Sequence, residues 1–469
     1  MVAARTRLLR VCLCLVLTQN VRGQEKPRRA AHLFEEAKRL EREGAHDQAQ
    51  DIWREFLAVE PDSARALAVR NGMVVVGELH LDKSCRHYPA WSPDGRRLLF
   101  GYGKLRMLEL STGKRSNVEI DSGPLYCHDW SPDGYTVAGR RPMPNGRPGA
   151  FLFERDTGAV LFQPEAEPIC EAVITKFSPD GRRLLLSAAA RMVGERRASL
   201  GLAVCDLETL KVESIPWRHA TRIARNHACW GPDGDTIVFH AYSGVSRNDR
   251  ALFVTRVSAP GDAVQLTKDN ANNESPAVSP EGRIVAYSRR QKGKPMMVCL
   301  TRLDGSIEPM EFAVGLQPAW APDGRRLAYS TGRGIVICDL GGLDACPVQL
   351  DAERVDETLR LSLRPGAADQ APVVYLDYTL YDADSVCIGA SEPAEQPLTL
   401  TPDKPLSVDI PLPADLAAAC QTARITLAAP DGSYFVRLVA LGKATPGGNA
   451  PDGAGTDATA PRAKDGAEK

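Results

Sequence analysis

The chain has 469 residues, of which 43% are hydrophobic and 25% charged, and its formal net charge is −1. That length allows more than one domain. The balanced charge argues against a basic nucleic-acid-binding face and a polybasic membrane patch, so no nucleic acid is expected as a partner.

The chain opens on Arg5, Arg7 and Arg10, followed by an apolar run from Val11 to Leu17 and then by Val21-Arg-Gly23. A charged, apolar, compact order is that of a cleavable secretory signal over residues 1–23. The apolar run is too short to span a bilayer as a stable helix. No later stretch is long enough to do so, so the expectation is a soluble exported protein, periplasmic or secreted, with no integral membrane segment after signal cleavage. The other reading is an apolar N-terminus with no targeting role. Cys12 and Cys14 lie within the run, which leaves ten of the twelve cysteines beyond it.

Residues 24–71 read as a helical hairpin. Leu33, Ala37 and Leu40 fall at helical spacing and Gly44 breaks the run. Ala49, Ile52, Trp53, Phe56 and Leu57 form a second apolar stripe that ends at Glu60-Pro61. Leu40, Gly44, Ala49 and Pro61 sit at tetratricopeptide-like offsets, although Trp53 is larger than the usual aromatic. A single such unit must dock on something or continue into a short helix at 63–69; the alternative is a hairpin that merely packs. The apolar stretch from Met73 to Leu81 reads as a strand, expected to lie beside the strand around Ile335–Cys338; the competing closure uses Pro347-Val-Gln-Leu350 alone.

Over residues 72–350 one phrase recurs. It reads Trp91-Ser-Pro-Asp-Gly95, Trp130-Ser-Pro-Asp-Gly134, Phe177-Ser-Pro-Asp-Gly181, Trp230-Gly-Pro-Asp-Gly234, Val278-Ser-Pro-Glu-Gly282 and Trp320-Ala-Pro-Asp-Gly324. The intervals are 39, 47, 53, 48 and 42 residues. Pro presets φ, Asp accepts the next position and Gly supplies the positive φ that follows, so the phrase is a tight hairpin turn. Apolar runs such as Leu98-Leu-Phe100 and Ile237-Val-Phe239 follow it, then a third run such as Ile335-Val-Ile-Cys338, then a weaker fourth such as Val264-Gln-Leu-Thr267. Four strands in about 40–50 residues is a propeller-blade period. One blade cannot bury both its faces, but blades stacked in a ring can. Cys205, Cys299 and Cys338 share one place in the third run of three repeats, where a free cysteine serves as a small hydrophobe.

This repeat resembles that of TolB-type β-propellers, the TolB protein being the periplasmic propeller of the Tol–Pal envelope system. The resemblance implies a six-bladed propeller with inner strands lining a central channel. It also implies a non-enzymatic role in binding an envelope protein or peptide, since TolB proteins contact partners through an N-terminal segment and a propeller face. Here a helical hairpin stands in place of the N-terminal domain of that family. The same repeat also occurs in propellers attached to peptidases.

Residues 351–442 lose the phrase. Alternating runs at Leu359–Leu363, Val373–Leu380, Leu406–Ile410, Ala423–Leu427 and Tyr434–Val439 read as an antiparallel β-sandwich, with a helical turn at Ala414–Ala419. Cys346, Cys387 and Cys420 are candidate disulfide partners in or near this part. Residues 443–469 hold almost no large apolar side chains and are expected to be disordered. The expected class is therefore mainly β, a six-bladed β-propeller with an N-terminal α-helical hairpin and a C-terminal antiparallel β-sandwich.

No nucleophile elbow, phosphate loop or zinc-helix motif is present, and no cofactor is expected. His and Cys precede the phrase in three repeats, as Cys85-Arg-His87, Cys127-His128 and His227-Ala-Cys229. Thiolate and imidazole form a soft metal set. By strand alternation, however, His87 and His128 would share a face and His227 would not, unless a bulge intervenes. Polar lining of a channel is preferred to a metal site. The candidate binding residues are Arg86, His87, Tyr88, His128, Asp129, Asn226, His227, Glu274 and Gln317, all in or just before the inner strands. Replacing His87 and His128 together is expected to abolish partner capture without loss of stability. The competing function is a peptidase- or glycan-related enzyme module with a metal at the His/Cys cluster.

Overall fold

The structure, a computed structural model, describes residues 26–441 except 84–86, 119, 121–125, 143–147, 163–173, 194–195, 217–222, 243–249, 270, 344–347, 366–371, 393, 402–403 and 431–433. The signal segment expected over 1–23 and the tail expected over 443–469 lie outside the described residues, as do Cys85 and Cys346.

The phrase folds as its chemistry requires. In the first repeat the Ser92 hydroxyl donates to Asp94 Oδ1 at 2.6 Å and accepts the Arg97 N–H at 2.8 Å. Gly95 takes φ +67° and its N–H closes the turn on the Ser92 carbonyl at 2.9 Å. The equivalent glycines in all six phrases lie at φ between +65° and +74°. Where Gly231 replaces the serine, Thr236 Oγ1 donates to Asp233 at 2.6 Å and restores the clasp.

Each phrase joins the first two strands of an antiparallel set. In the first repeat these are Ala90–Trp91, Arg97–Phe100, Arg106–Glu109 and Arg115–Asn117, paired in that order. The next two repeats form four-stranded sheets in the same manner. The fourth and fifth are joined into one eight-stranded sheet by a single parallel bridge, Arg250 to Asn272. The sixth takes its outer strand from the other end of the repeat region: Val74–His80 pairs with Gly334–Gly341, with Glu78 opposite Cys338. That agrees with the closure expected from sequence.

Apolar clusters lie between successive repeats. Leu99, Trp130 and Phe153 join the first to the second, and Leu185, Trp230 and Phe253 the third to the fourth. Trp91, Leu98, Ala328 and Ile337 join the sixth back to the first. Small antiparallel sheets thus pack one on the next about a central channel, in the manner of a β-propeller. Cys205, Cys299 and Cys338 are buried free thiols, as their shared strand position predicts.

The N-terminal helices are α1 over 26–42, α2 over His46–Val59 and α3 over Ala64–Arg70. Gly44 ends α1 at φ +77°, and the Ser63 hydroxyl caps α3 by accepting the Ala66 N–H at 3.0 Å. Leu33, Ala37, Trp53 and Phe56 pack against Val74 and Val76 of the closing strand.

At the C-terminal side two antiparallel sheets face each other. One holds Val348–Val355, Thr358–Pro365 and Leu406–Pro411; the other holds Cys387–Ala390, Val373–Tyr381, Thr422–Ala428 and Tyr434–Ala440. Leu359, Leu361, Ile410, Leu380 and Ile425 share one buried cluster between them. A short helix, α4, spans Ala414–Ala417. Cys387 and Cys420 are free thiols and do not pair with each other.

Candidate binding site in the central channel

The residue just before each phrase carries the channel wall: Ala90, Asp129, Lys176, Cys229, Ala277 and Ala319. The first residue of each phrase then links its sheet to the preceding one. Trp91 Nε1 donates to the Ala319 carbonyl at 3.0 Å, Trp130 to Ala90 at 3.2 Å, Trp230 to Lys176 at 3.1 Å and Trp320 to Ala277 at 3.2 Å. Two repeats start on Phe177 and Val278, which have no such donor. In front of Phe177 the wall residue is Asp129, whose Oδ2 accepts the Phe177 N–H at 2.9 Å. In front of Val278 it is Cys229, beside the Val278 backbone.

The cavity has a volume of about 340 Å³ and reaches from Tyr88, Ser275 and Gln317 at one end to the six phrase prolines at the other. Three residues at equivalent positions near the first end have left-handed backbones: Tyr88 (φ 49°), Ser275 (φ 55°) and Gln317 (φ 56°). The inner strands starting at Asn272 and Leu316 shift register at this point. Non-glycine residues hold such backbones at a cost, and structures keep them mainly where they place a side chain. Gln317 Oε1 accepts the Tyr88 N–H at 3.0 Å, tying the two strained residues together across repeats.

Of the residues picked from sequence, Tyr88, His128, Asp129 and Gln317 line the cavity. Arg86 lies outside the described residues, as do the side chains of Asn226 and His227. Glu274 does not line the cavity but pairs with Arg250 at 3.5 Å. His87 is exposed, with φ 68° and its ring 5.8 Å from Tyr102. His87 and His128 therefore do not share a face, because consecutive left-handed residues at 87 and 88 break the strand alternation on which that expectation rested. Cys229, named from sequence in the His/Cys cluster, also lines the cavity. Sequence reasoning missed Lys176 and Ser275, whose signal was available: Lys176 stands one residue before the phrase and Ser275 three. It also missed Arg424, for which no local signal exists.

His128 is only 2% exposed, and neither ring nitrogen makes a hydrogen bond of normal geometry. Burial lowers its pKa to about 3; the Lys176 charge adds to this, and the Leu99 and Tyr88 backbones offset part of it. It is a neutral ring in the wall, so its replacement disturbs packing, against the expectation of an innocuous substitution. Burial likewise pushes the Cys229 thiol up to about 12. Lys176 and Asp129 pair at 2.9 Å. Among the described residues no group of three or more His, Cys, Asp or Glu side chains is placed to hold a metal ion.

No family model matches the chain. An uncharacterised protein of Agrobacterium fabrum is 27% identical over 262 residues, covering 51% of this chain and 83% of that protein. Among solved structures, a putative TolB from Agrobacterium tumefaciens is 19% identical, covers 55% of this chain and 90% of its own, and gives a TM-score of 0.41. TolB from Acinetobacter baumannii is 17% identical over 70% of this chain and 67% of its own, with a TM-score of 0.39. Hydrazine synthase of Kuenenia stuttgartiensis is 12% identical over 56% and 97%, also at 0.39. None of these likenesses brings an activity or a partner to this chain.

Proposed function

We propose that this is an exported, non-enzymatic binding scaffold of the bacterial cell envelope, periplasmic or secreted. Its platform is a six-bladed TolB-like β-propeller over 72–350, flanked by a tetratricopeptide-like hairpin over 24–71 and a β-sandwich over 351–442. The channel mouth takes a protein or peptide partner. The observation that carries this reading is the set of strained backbones at Tyr88, Ser275 and Gln317, gathered at one end of a cavity that all six repeats line. The charged-then-apolar N-terminus supports export.

The test uses the mature chain as bait in envelope extracts of its own bacterium. Tyr88→Asn with Gln317→Asn keeps residues that tolerate left-handed backbones while removing the ring and shortening the amide. The double variant is expected to melt within a few degrees of the parent and to lose the captured partner. Undiminished capture by that variant sinks the reading.

A further inference from the structure

The phrase end of the channel is covered by the C-terminal sheets. Ser385 Oγ donates to Asp94 Oδ2 at 2.7 Å, Tyr381 Oη to the Pro132 carbonyl at 3.0 Å, and the Cys387 N–H to the Asp133 carbonyl at 2.7 Å. The approach is close: a Cβ on Gly134 would meet the Ser385 carbonyl oxygen at 1.7 Å.

The strand Thr422–Ala428 runs along this cover. Ala423, Ile425 and Leu427 are buried in the apolar clusters of the C-terminal sheets. Strand alternation turns Arg424 the other way, and its side chain lines the channel cavity. Arg424 is in none of the ion pairs among the described residues, and its Nε is buried without a hydrogen-bond partner. The Tyr381 hydroxyl gives its proton to the Pro132 carbonyl and offers its oxygen to the guanidinium, a neutral partner that leaves the charge of Arg424 unmatched. The other charged side chains of the wall, Lys176 and Asp129, neutralise each other. A single uncompensated guanidinium therefore stands at the covered end, in a wall otherwise built largely of Ala, Pro and Trp.

Arg424 is half-buried; a guanidinium drawn partly out of water gains when its donors are matched, and a carboxylate matches its fork in two parallel bonds. We propose that the channel takes the carboxylate of an extended ligand, with Arg424 as its counter-ion. The inference rests on the channel being the binding site, and adds the chemical class of the group that enters it. The carboxylate comes from the C-terminus of a polypeptide or from a small free acid.

The experiment titrates the full mature chain with N-acetyl-trialanine, its C-terminal amide and succinate. It follows the fluorescence of the cavity-lining tryptophans, with calorimetry as the second readout. The free acid is expected to bind at least ten-fold more tightly than the amide, and Arg424→Gln to erase that difference. Ala277→Phe fills the cavity without changing its charge and is expected to abolish acid binding, which keeps the test alive if the arginine variant folds poorly. Succinate weaker than the peptide acid assigns the group to a chain terminus; the reverse assigns it to a small acid. Equal binding of acid and amide, a preference that survives Arg424→Gln, or no binding of any probe overturns the proposal. Partner capture that persists in Arg424→Gln alongside such a result removes this inference and leaves the scaffold reading standing.

Discussion

At His128 burial outweighs every other influence on the ring. Unfolded, the imidazole titrates near 6.5; folded, it stays neutral down to about 3. Between these values the unfolded chain binds a proton that the folded chain refuses. The contribution of this group is therefore whole above pH 6.5 and is lost as pH falls toward 3. The loss runs at up to about 1.4 kcal/mol per pH unit. Urea midpoints measured from pH 7 to pH 5 should fall steadily for the parent chain and much less for His128→Leu. Parallel slopes would show that another group carries the linkage. The neighbouring Asp129 illustrates how one residue can hold two jobs, accepting from the Phe177 backbone with one oxygen and from Lys176 with the other.

Between elements, the indole links decide how the sheets meet. Each tryptophan contributes apolar burial and one directed hydrogen bond to the preceding sheet, so adjacent sheets cannot slide without losing both. Arginines reinforce the same joints: Arg326 lies 4.6 Å from the Trp91 ring and donates to the Gly95 carbonyl at 3.0 Å, and Arg183 does the same for Trp230 and Gly234. Trp130→Phe keeps an aromatic ring and removes the donor to Ala90, which should lower the unfolding free energy by about 0.5–2 kcal/mol. Chemical denaturation reads this directly. A loss of the size seen for a large core truncation would mean that the ring's fit, rather than its N–H, holds the joint.

For the whole molecule, both flanking units are fixed on the repeat region by buried polar contacts. The Glu41 carboxylate is the joint of the N-terminal helices. It accepts from Trp53 Nε1 at 3.2 Å and from the Gly342 N–H at 3.4 Å, and its other oxygen lies 2.8 Å from His46 Nδ1. Glu41→Ala leaves Trp53 and Gly342 without an acceptor, at a cost of about 1–3 kcal/mol. Limited proteolysis should then release the N-terminal helices faster than the repeat region is cut; an unchanged digestion pattern would show that apolar packing alone holds them.

The sequence by itself determined the turns and the strand order within each repeat, because these rest on local chemistry; the closing strand followed from the need of a ring of sheets to hide its edges. Four or five residues suffice to encode a Ser-Pro-Asp-Gly clasp, and period-2 patterning encodes the strands around it. It also picked out Tyr88, His128, Asp129 and Gln317 as channel residues, since each stands at a fixed offset from a turn. The tertiary structure decided the rest. Whether His87 and His128 face together depended on left-handed backbones that packing imposes and that alternation cannot foresee. Arg424 reached the channel only because a sheet more than 300 residues after the first phrase settles over its turns. Such contacts are set by how finished elements fit against one another, and no short stretch of chain encodes that fit.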